Sequence, residues 1–310
     1  MTQLHSAEPS GGARRAAVIG LGSMGLGMAQ SLLRHGFAVA GFDVSQAATE
    51  RLVQSGGTVA SSPADAVRDA EAVVAAVVNA AQTEAVLFGT QGCADAMQEG
   101  AVFISSATMA PDMARTLAAR LEATGRHYLD APMSGGAARA ADGTLTMLAS
   151  GSPAAFERAR PALDAMTGTL YELGAAAGQG AAFKMVNQLL AGVHIAAACE
   201  AVAFASRQGL DLARVYEVIT KSAGNSWMFE NRIPHVLDGD YAPRSAINIF
   251  TKDLGIVIDM AREAQFPVPI AGAALQMYLM TAAAGMGRDD DASVARLYAK
   301  IAGLSLPSAD

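Results

Sequence analysis

An α/β Rossmann-type doubly wound parallel sheet followed by an all-α C-terminal domain is the fold this sequence predicts. Three observations carry that expectation. A strand runs into a glycine-rich turn, short continuous apolar runs alternate with helical periodicity up to about residue 174, and helical periodicity stands alone beyond Gly178.

The first run, Ala16 to Ile19, leads straight into Gly20-Leu21-Gly22-Ser23-Met24-Gly25, and the next strand, Phe37 to Phe42, ends at Asp43. This is the fingerprint of a dinucleotide-binding βαβ unit. Gly20 permits the tight turn, Gly22 leaves room for a pyrophosphate, and Gly25 lets the following helix pack closely on the strand. The diphosphate would then sit on the helix N-terminus, where unpaired N–H groups favour an anion. Leu26, Leu32 and Leu33 give that helix its apolar periodicity and Gly36 its stop. A carboxylate at Asp43 accepts hydrogen bonds from a ribose diol and repels a 2′-phosphate. Its successors Val44, Ser45 and Gln46 carry no compensating positive charge, so NAD is expected over NADP. Arg51, one to two helical turns on, reads as a solvated surface residue.

Further strands are predicted over 72–78, 101–104, 127–132, 144–149 and 169–173, with helices over 82–88, from Pro111 to about Ala123, and over 153–166. The apolar run 72–78 suits a parallel strand covered on both faces. These elements make residues 15–174 an NAD-binding domain. Residues 1–14, polar and small, are expected to be a disordered lead-in. Residues 175–310 are expected to form an all-helical domain for substrate binding and oligomerisation. Its helical stretches are 180–208, 211–222, 245–264 and 268–284, with breaks at Gly224, Pro234, Pro243 and Pro267.

Composition narrows the function. Over 310 residues, 52% are hydrophobic, and the net charge of −7 comes with scattered basic residues, which gives no footprint for nucleic acid or an anionic membrane. The longest apolar stretch, Leu189 to Ala205, is interrupted by His194 and Glu200 and reads as a buried helix rather than a membrane span. Cys93 and Cys199 read as small hydrophobes, and no cluster has metal-ligand spacing, so no metal is expected. The first residues lack the apolar segment of a secretion signal, and a cytoplasmic location is expected.

In an open parallel sheet, ligands bind beyond the carboxyl ends of the strands. Val78 ends one strand and Asn79 follows it, and Thr108 follows another. All three could face a cofactor, although, taken alone, capping of a loop explains the polar pair better. A third strand end, Asp130-Ala131-Pro132-Met133-Ser134-Gly135-Gly136, places a hydroxyl before two glycines, an arrangement suited to a carboxylate. In Gly180-Ala-Ala-Phe-Lys184-Met-Val-Asn187-Gln188, an ammonium and an amide three residues apart share one face of an otherwise apolar helix. Such a lysine either snorkels to solvent or serves a buried anionic site, where a pKa tuned toward neutrality suits it to acid/base work on an alcohol. Lys252 sits beside Asp253, which by itself reads as a surface pair of little energetic weight.

Together these stations resemble the β-hydroxyacid dehydrogenase family, which includes 3-hydroxyisobutyrate, 6-phosphogluconate and tartronate semialdehyde enzymes. Four motifs occur in order over residues 15 to 300: Gly20 to Gly25, Asp130 to Gly136, Gly180 to Asn187, and Lys252-Asp253-Leu254. The resemblance implies Lys184 as catalytic acid/base, and Ser134, Gly135, Gly136 and Asn187 as the substrate-binding groups. It also implies Thr108 and Lys252 on the nicotinamide side. The family often has a second asparagine after the one matched by Asn187. This chain has Gln188, whose role stays open. Val78 to Gly89, Asn187 to His194 and Gly224 to Arg232 resemble the branch acting on four-carbon sugar acids, which implies NAD-dependent oxidation of a C2 hydroxyl to a 2-oxo acid. In that reading the polar groups of Asn225, Ser226, Glu230, Asn231 and Arg232 could meet the substrate's outer hydroxyls. Rival expectations are the same chemistry on 3-hydroxyisobutyrate or tartronate semialdehyde, and a non-catalytic NAD-binding regulator. The regulator would leave Lys184 and Asn187 without a purpose. The alanine-rich helical half suggests a homodimer or homotetramer.

Overall fold

The computed structural model describes residues 13–307, so the expected lead-in falls, but for its last two residues, outside the described residues. By its contacts the chain divides into two compact units, up to Ala181 and from Ala182 onward.

The first unit is a sheet covered by helices on both faces. It begins β1 (Arg15–Ile19), α1 (Ser23–Arg34), β2 (Ala38–Phe42), α2 (Gln46–Gln54), β3 (Thr58–Val59) and α3 (Pro63–Ala66). It continues β4 (Ala72–Ala75), α4 (Ala80–Phe88), β5 (Val102–Ser105), α5 (Pro111–Glu122) and β6 (His127–Asp130). The last part is β7 (Met133–Ser134), α6 (Gly136–Asp142), β8 (Leu145–Gly151), α7 (Pro153–Met166) and β9 (Thr167–Glu172). Strand order is β3-β2-β1-β4-β5-β6-β8-β7, with β9 paired to β8. Every pairing from β3 across to β6 is parallel. The two-residue period of the strands sends Val18, Val74, Ile104 and Leu129 into one core. It sends Ala17, Ile19, Val73, Phe103 and Tyr128 into the other. Strands buried on both faces have to be apolar throughout, which is why β4 and β5 read as continuous apolar runs.

Two features depart from the expected pattern. The sheet is parallel-dominated rather than wholly parallel, because β8 runs antiparallel to β6 and β7. Also, the run 72–78 stops being a strand at Ala75, where the chain leaves the carboxyl end of β4 for a loop. Ser152 caps α7 by accepting from the Ala155 N–H, and Pro153 and Pro111 occupy the first helical turns of α7 and α5, where a missing N–H costs nothing.

The second unit is helical. It holds most of α8 (Gln179–Arg207), then α9 (Leu212–Ile219), α10 (Trp227–Leu237), α11 (Ile247–Glu263), α12 (Pro269–Thr281) and α13 (Val294–Ala302). Although α8 is long and apolar enough to cross a membrane, Ile195, Cys199 and Val202 lie in the unit's core with Phe229, Ile233, Phe250 and Leu254. It is a core helix. Gly192 lets α11 come close: a Cβ there would stand 3.0 Å from side-chain carbons of Leu254 and Phe250.

Pro234 does not break the chain as expected but lies inside α10. A proline there cannot donate to the carbonyl of residue 230. The Tyr216 hydroxyl from α9 donates to that carbonyl instead, at 3.1 Å, so it keeps a partner. Neither α10 nor α13 was among the expected helices, and α12 gives way after Thr281 to a wider turn containing Gly285 at φ +92°.

Candidate active site

The glycine-rich turn joins β1 to α1 at the point where the strand order reverses, with β2 on one side of β1 and β4 on the other. That is where an open α/β sheet offers a crevice. Gly20 has φ +88°, and a Cβ on it would lie 2.7 Å from the Ala76 carbonyl oxygen. A Cβ on Gly25 would lie 1.8 Å from the Gly20 oxygen, whereas one on Gly22 would meet nothing within 4 Å. The turn is therefore closed behind and open in front. No side chain caps the N-terminus of α1, which leaves its first N–H groups to an anion.

Asp43, half-buried at the end of β2, accepts from the Leu21 N–H at 2.6 Å and the Ser45 N–H at 2.8 Å. One oxygen faces each amide, so the carboxylate is fixed against the turn. Each oxygen keeps a further lone pair for a ribose hydroxyl. These features fit a dinucleotide. Arg51 bonds back to the Ala47 carbonyl and is exposed.

Asn79 caps α4, accepting from the Gln82 N–H at 2.9 Å, while the Gln82 side chain accepts from the Val78 N–H at 2.8 Å. This reciprocal box accounts for Asn79's carbonyl oxygen and leaves its amide N–H groups to other use. Thr108, half-buried, follows β5. All of these positions lie at the carboxyl ends of the parallel strands.

Ser134 ends β7, and Gly135 and Gly136 follow at φ +135° and +77°. Asp130, just before them, is buried and anchors the entry to α8. It accepts from the Gly178 and Ala181 N–H groups, each at 2.9 Å, and from the Ser150 hydroxyl at 3.3 Å. Burial raises its pKa, against the lowering effect of those amides. Gly180 sits in the same anchor, where a Cβ would come 2.2 Å from the Leu148 carbonyl oxygen. These bonds hold the segment up to Ala181 to the sheet, while the sequence pattern places the junction near Gly174.

In the helical unit, Lys184, Asn187 and Gln188 share one face of α8. Lys184 is 8% exposed, so it does not snorkel. Burial pushes its pKa down to about 8, with nearby Asp253 opposing and Lys252 assisting. Asn187 donates through Nδ2 to Gln188 Oε1 at 3.0 Å, and Gln188 donates through Nε2 to Asp253 Oδ2 at 2.5 Å. Asp253 Oδ1 takes the Lys252 ammonium. Asp253 is 1% exposed, which overturns the surface-pair reading of Lys252 and Asp253. The signal was present, because 250, 253, 254 and 257 share one face of α11, and Phe250, Leu254 and Val257 are buried.

The segment 224–232 turns out to be occupied internally. Ser226 caps α10, Asn225 donates to Glu230, and buried Arg232 makes a paired contact with Asp291 at 2.6 and 3.1 Å. Arg232 therefore serves the core of the helical unit. Among the described residues no group of His, Cys, Asp and Glu could hold a metal ion.

Residues 15–174 match the family model for the NAD binding domain of 6-phosphogluconate dehydrogenase. Residues 178–298 match that for the NAD-binding of NADP-dependent 3-hydroxyisobutyrate dehydrogenase. An L-threonate dehydrogenase from Cupriavidus necator is 52% identical over 294 residues, covering 95% of this chain and 98% of its own. One from Escherichia coli is 45% identical over 293 residues, covering 94% and 96%. Among solved structures, a 3-hydroxyisobutyrate dehydrogenase from Salmonella typhimurium superposes with a TM-score of 0.88 at 46% identity, covering 92% of this chain and 99% of that one.

Proposed function

The chain belongs to the 3-hydroxyisobutyrate dehydrogenase-related family of β-hydroxyacid dehydrogenases, and from that premise we propose that it oxidises the C2 hydroxyl of L-threonate to 2-oxo-tetronate with NAD. It is a nicotinamide-dinucleotide-dependent dehydrogenase. The four-carbon acid is favoured by the 45–52% identity to L-threonate dehydrogenases over nearly the whole chain.

Gly20, Leu21, Gly22, Ser23, Met24 and Gly25 would hold the diphosphate, Asp43 the ribose diol, and Val78, Asn79, Thr108 and Lys252 the remainder of the dinucleotide. When bound, NAD supplies the acceptor for the C2 hydride. Ser134 and the Gly135 and Gly136 amides would hold the substrate carboxylate. Lys184, as the neutral amine, takes the hydroxyl proton while C2 becomes a carbonyl carbon. Asn187 orients the reacting end beside it. The observation that carries this reading is a buried lysine one helical turn from an amide on an otherwise apolar helix, with burial pushing its pKa down. Lys184→Ala should lower kcat by roughly 10²-fold or more with NADH binding retained. Lys184→Arg should not restore it, since a guanidinium keeps its proton. Near-normal turnover in Lys184→Ala would defeat the reading.

The same reading includes a homodimer or homotetramer in the cytoplasm. α9 buries none of its residues fully, and its apolar side faces a groove of about 830 Å³ lined by Phe204, Leu210, Val215, Val218 and Phe229. Phe204, Leu210 and Val218 are 65%, 55% and 50% exposed, neighbouring apolar side chains that a partner surface could cover. Light scattering of the intact protein, with Phe204→Glu beside it, should report an oligomer that the charge weakens. A monomer at micromolar concentration would remove this part.

A further inference from the structure

Gln188 and Asp253 belong to no step of the mechanism above, yet both are buried, at 7% and 1% exposure. A carboxylate only accepts hydrogen bonds. The Gln188 atom facing Asp253 must therefore be Nε2, and the Gln188 atom facing the other way must be Oε1. That oxygen in turn requires a donor from Asn187, which fixes Nδ2 toward Gln188. The planar amide then turns Asn187 Oδ1 to the opposite side. Three side chains thus transmit one orientation, from an acceptor-only carboxylate on α11 to a half-buried amide on α8.

This has a consequence for the substrate if, as proposed above, Lys184 and Asn187 both face it. The reacting hydroxyl has a single proton, and Lys184 takes it. An Asn187 held with its oxygen outward needs a donor from elsewhere. A hydroxyl on the carbon next to the reacting one supplies it. We infer that Asp253 and Gln188 are positioning residues that lock Asn187 with Oδ1 outward, and that this oxygen selects 2,3-dihydroxy acids over acids lacking the 3-hydroxyl. The inference rests on the reading of Lys184 and Asn187 as substrate-facing, and it names a feature of the substrate that the reading left open.

The relay can be reversed on paper, and that makes it testable. In Asp253→Asn the new amide can donate to Gln188 Oε1. Gln188 Nε2 can then donate to Asn187 Oδ1, and Asn187 presents N–H groups outward. In Gln188→Met, close in shape but without either polar atom, Asn187 loses its fixed partner. Kinetics would use L-threonate and its 3-deoxy analogue, 2,4-dihydroxybutanoate of the same C2 configuration. The ratio of their kcat/KM values cancels any change in Lys184 ionisation, because both substrates use the same lysine.

The unaltered enzyme should favour L-threonate, and each variant should lower that ratio by about tenfold or more, the scale of one misdirected hydrogen bond. In Gln188→Met the analogue's own kcat/KM should change little. Because both residues act through Asn187, the double variant should lose no more than the worse single variant, and neither change should move the ratio in an Asn187→Ala background. An unchanged ratio in Gln188→Met that still binds NADH, or losses that simply multiply, would overturn the relay. Should Asp253→Asn fail to fold, Gln188→Met and the Asn187→Ala background decide the matter. Lys184→Ala separates the two levels. If it stays active, the reading of the site fails; if it is inactive while Gln188→Met leaves the ratio unchanged, only the relay fails.

Discussion

A lysine accepts a proton only as the neutral amine, so with Lys184 as the proposed base the pH dependence of alcohol oxidation should read its ionisation. Burial lowers its pKa from 10.5 to about 8, Asp253 works against that shift, and Lys252 works with it. At pH 7 about one Lys184 in ten would be neutral, against roughly one in three thousand at the ordinary value, a gain of about 300-fold in competent enzyme. For L-threonate with saturating NAD, kcat/KM should climb about tenfold per pH unit below the pKa and level off above it. Reduction of the 2-oxo acid needs the ammonium as donor and should run the opposite way, falling above about pH 8. The neighbours give signed controls. Lys252→Met removes a cation that disfavours the ammonium and should move the inflection up, while Asp253→Asn removes an anion that favours it and should move the inflection down. Initial rates of NADH formation from pH 6 to 10, with separate checks of stability at each pH, measure this. A flat profile, or an inflection near 10.5 in the unaltered protein, would refute the assignment.

Asp43→Ala should reduce kcat/KM for NAD by about 10–100-fold, the scale of hydrogen bonds to a charged group, and narrow the preference over NADP. Equal use of both cofactors by the unaltered protein would contradict the role given to Asp43. Asp130→Ala leaves the Gly178 and Ala181 N–H groups without their acceptor, at about 1–3 kcal/mol for each buried orphan. Urea unfolding should show the corresponding fall, and an unchanged midpoint would mean water replaces the carboxylate. Gly25→Ala forces a Cβ against the Gly20 carbonyl and should abolish NADH binding, measured by fluorescence titration, before it affects the helical unit.

Features set by residues close together in the chain are legible in the sequence. Strands buried on both faces announce themselves as apolar runs, and Gly20, by its conformation, and Gly25, by its clearance, stand where only glycine fits. The four motifs of the family singled out Lys184 and Asn187, which the fold places on one face of α8. What escaped depends on partners distant in the chain. Pro234 looked like a break until Tyr216 supplied a donor for the Glu230 carbonyl. Arg232 looked available until Asp291, fifty-nine positions away, took its guanidinium. Asp130 passed for part of a strand end because its partners, the Gly178 and Ala181 amides, come forty-eight and fifty-one positions later. Asp253 was the exception. Its helical face was readable, but its adjacency to Lys252 suggested a solvated pair.

The most direct test of the central claim is steady-state NADH formation by the unaltered protein with L-threonate, D-threonate, L-erythronate and 3-hydroxyisobutyrate, each as a single stereoisomer. A site whose buried polar groups expect substrate hydroxyls can disfavour an analogue lacking them by roughly 10⁴-fold. The account predicts the largest kcat/KM for L-threonate with NAD, and a value lower by orders of magnitude for 3-hydroxyisobutyrate. The reverse order would contradict the substrate assignment, and no turnover of any hydroxyacid would contradict the enzyme.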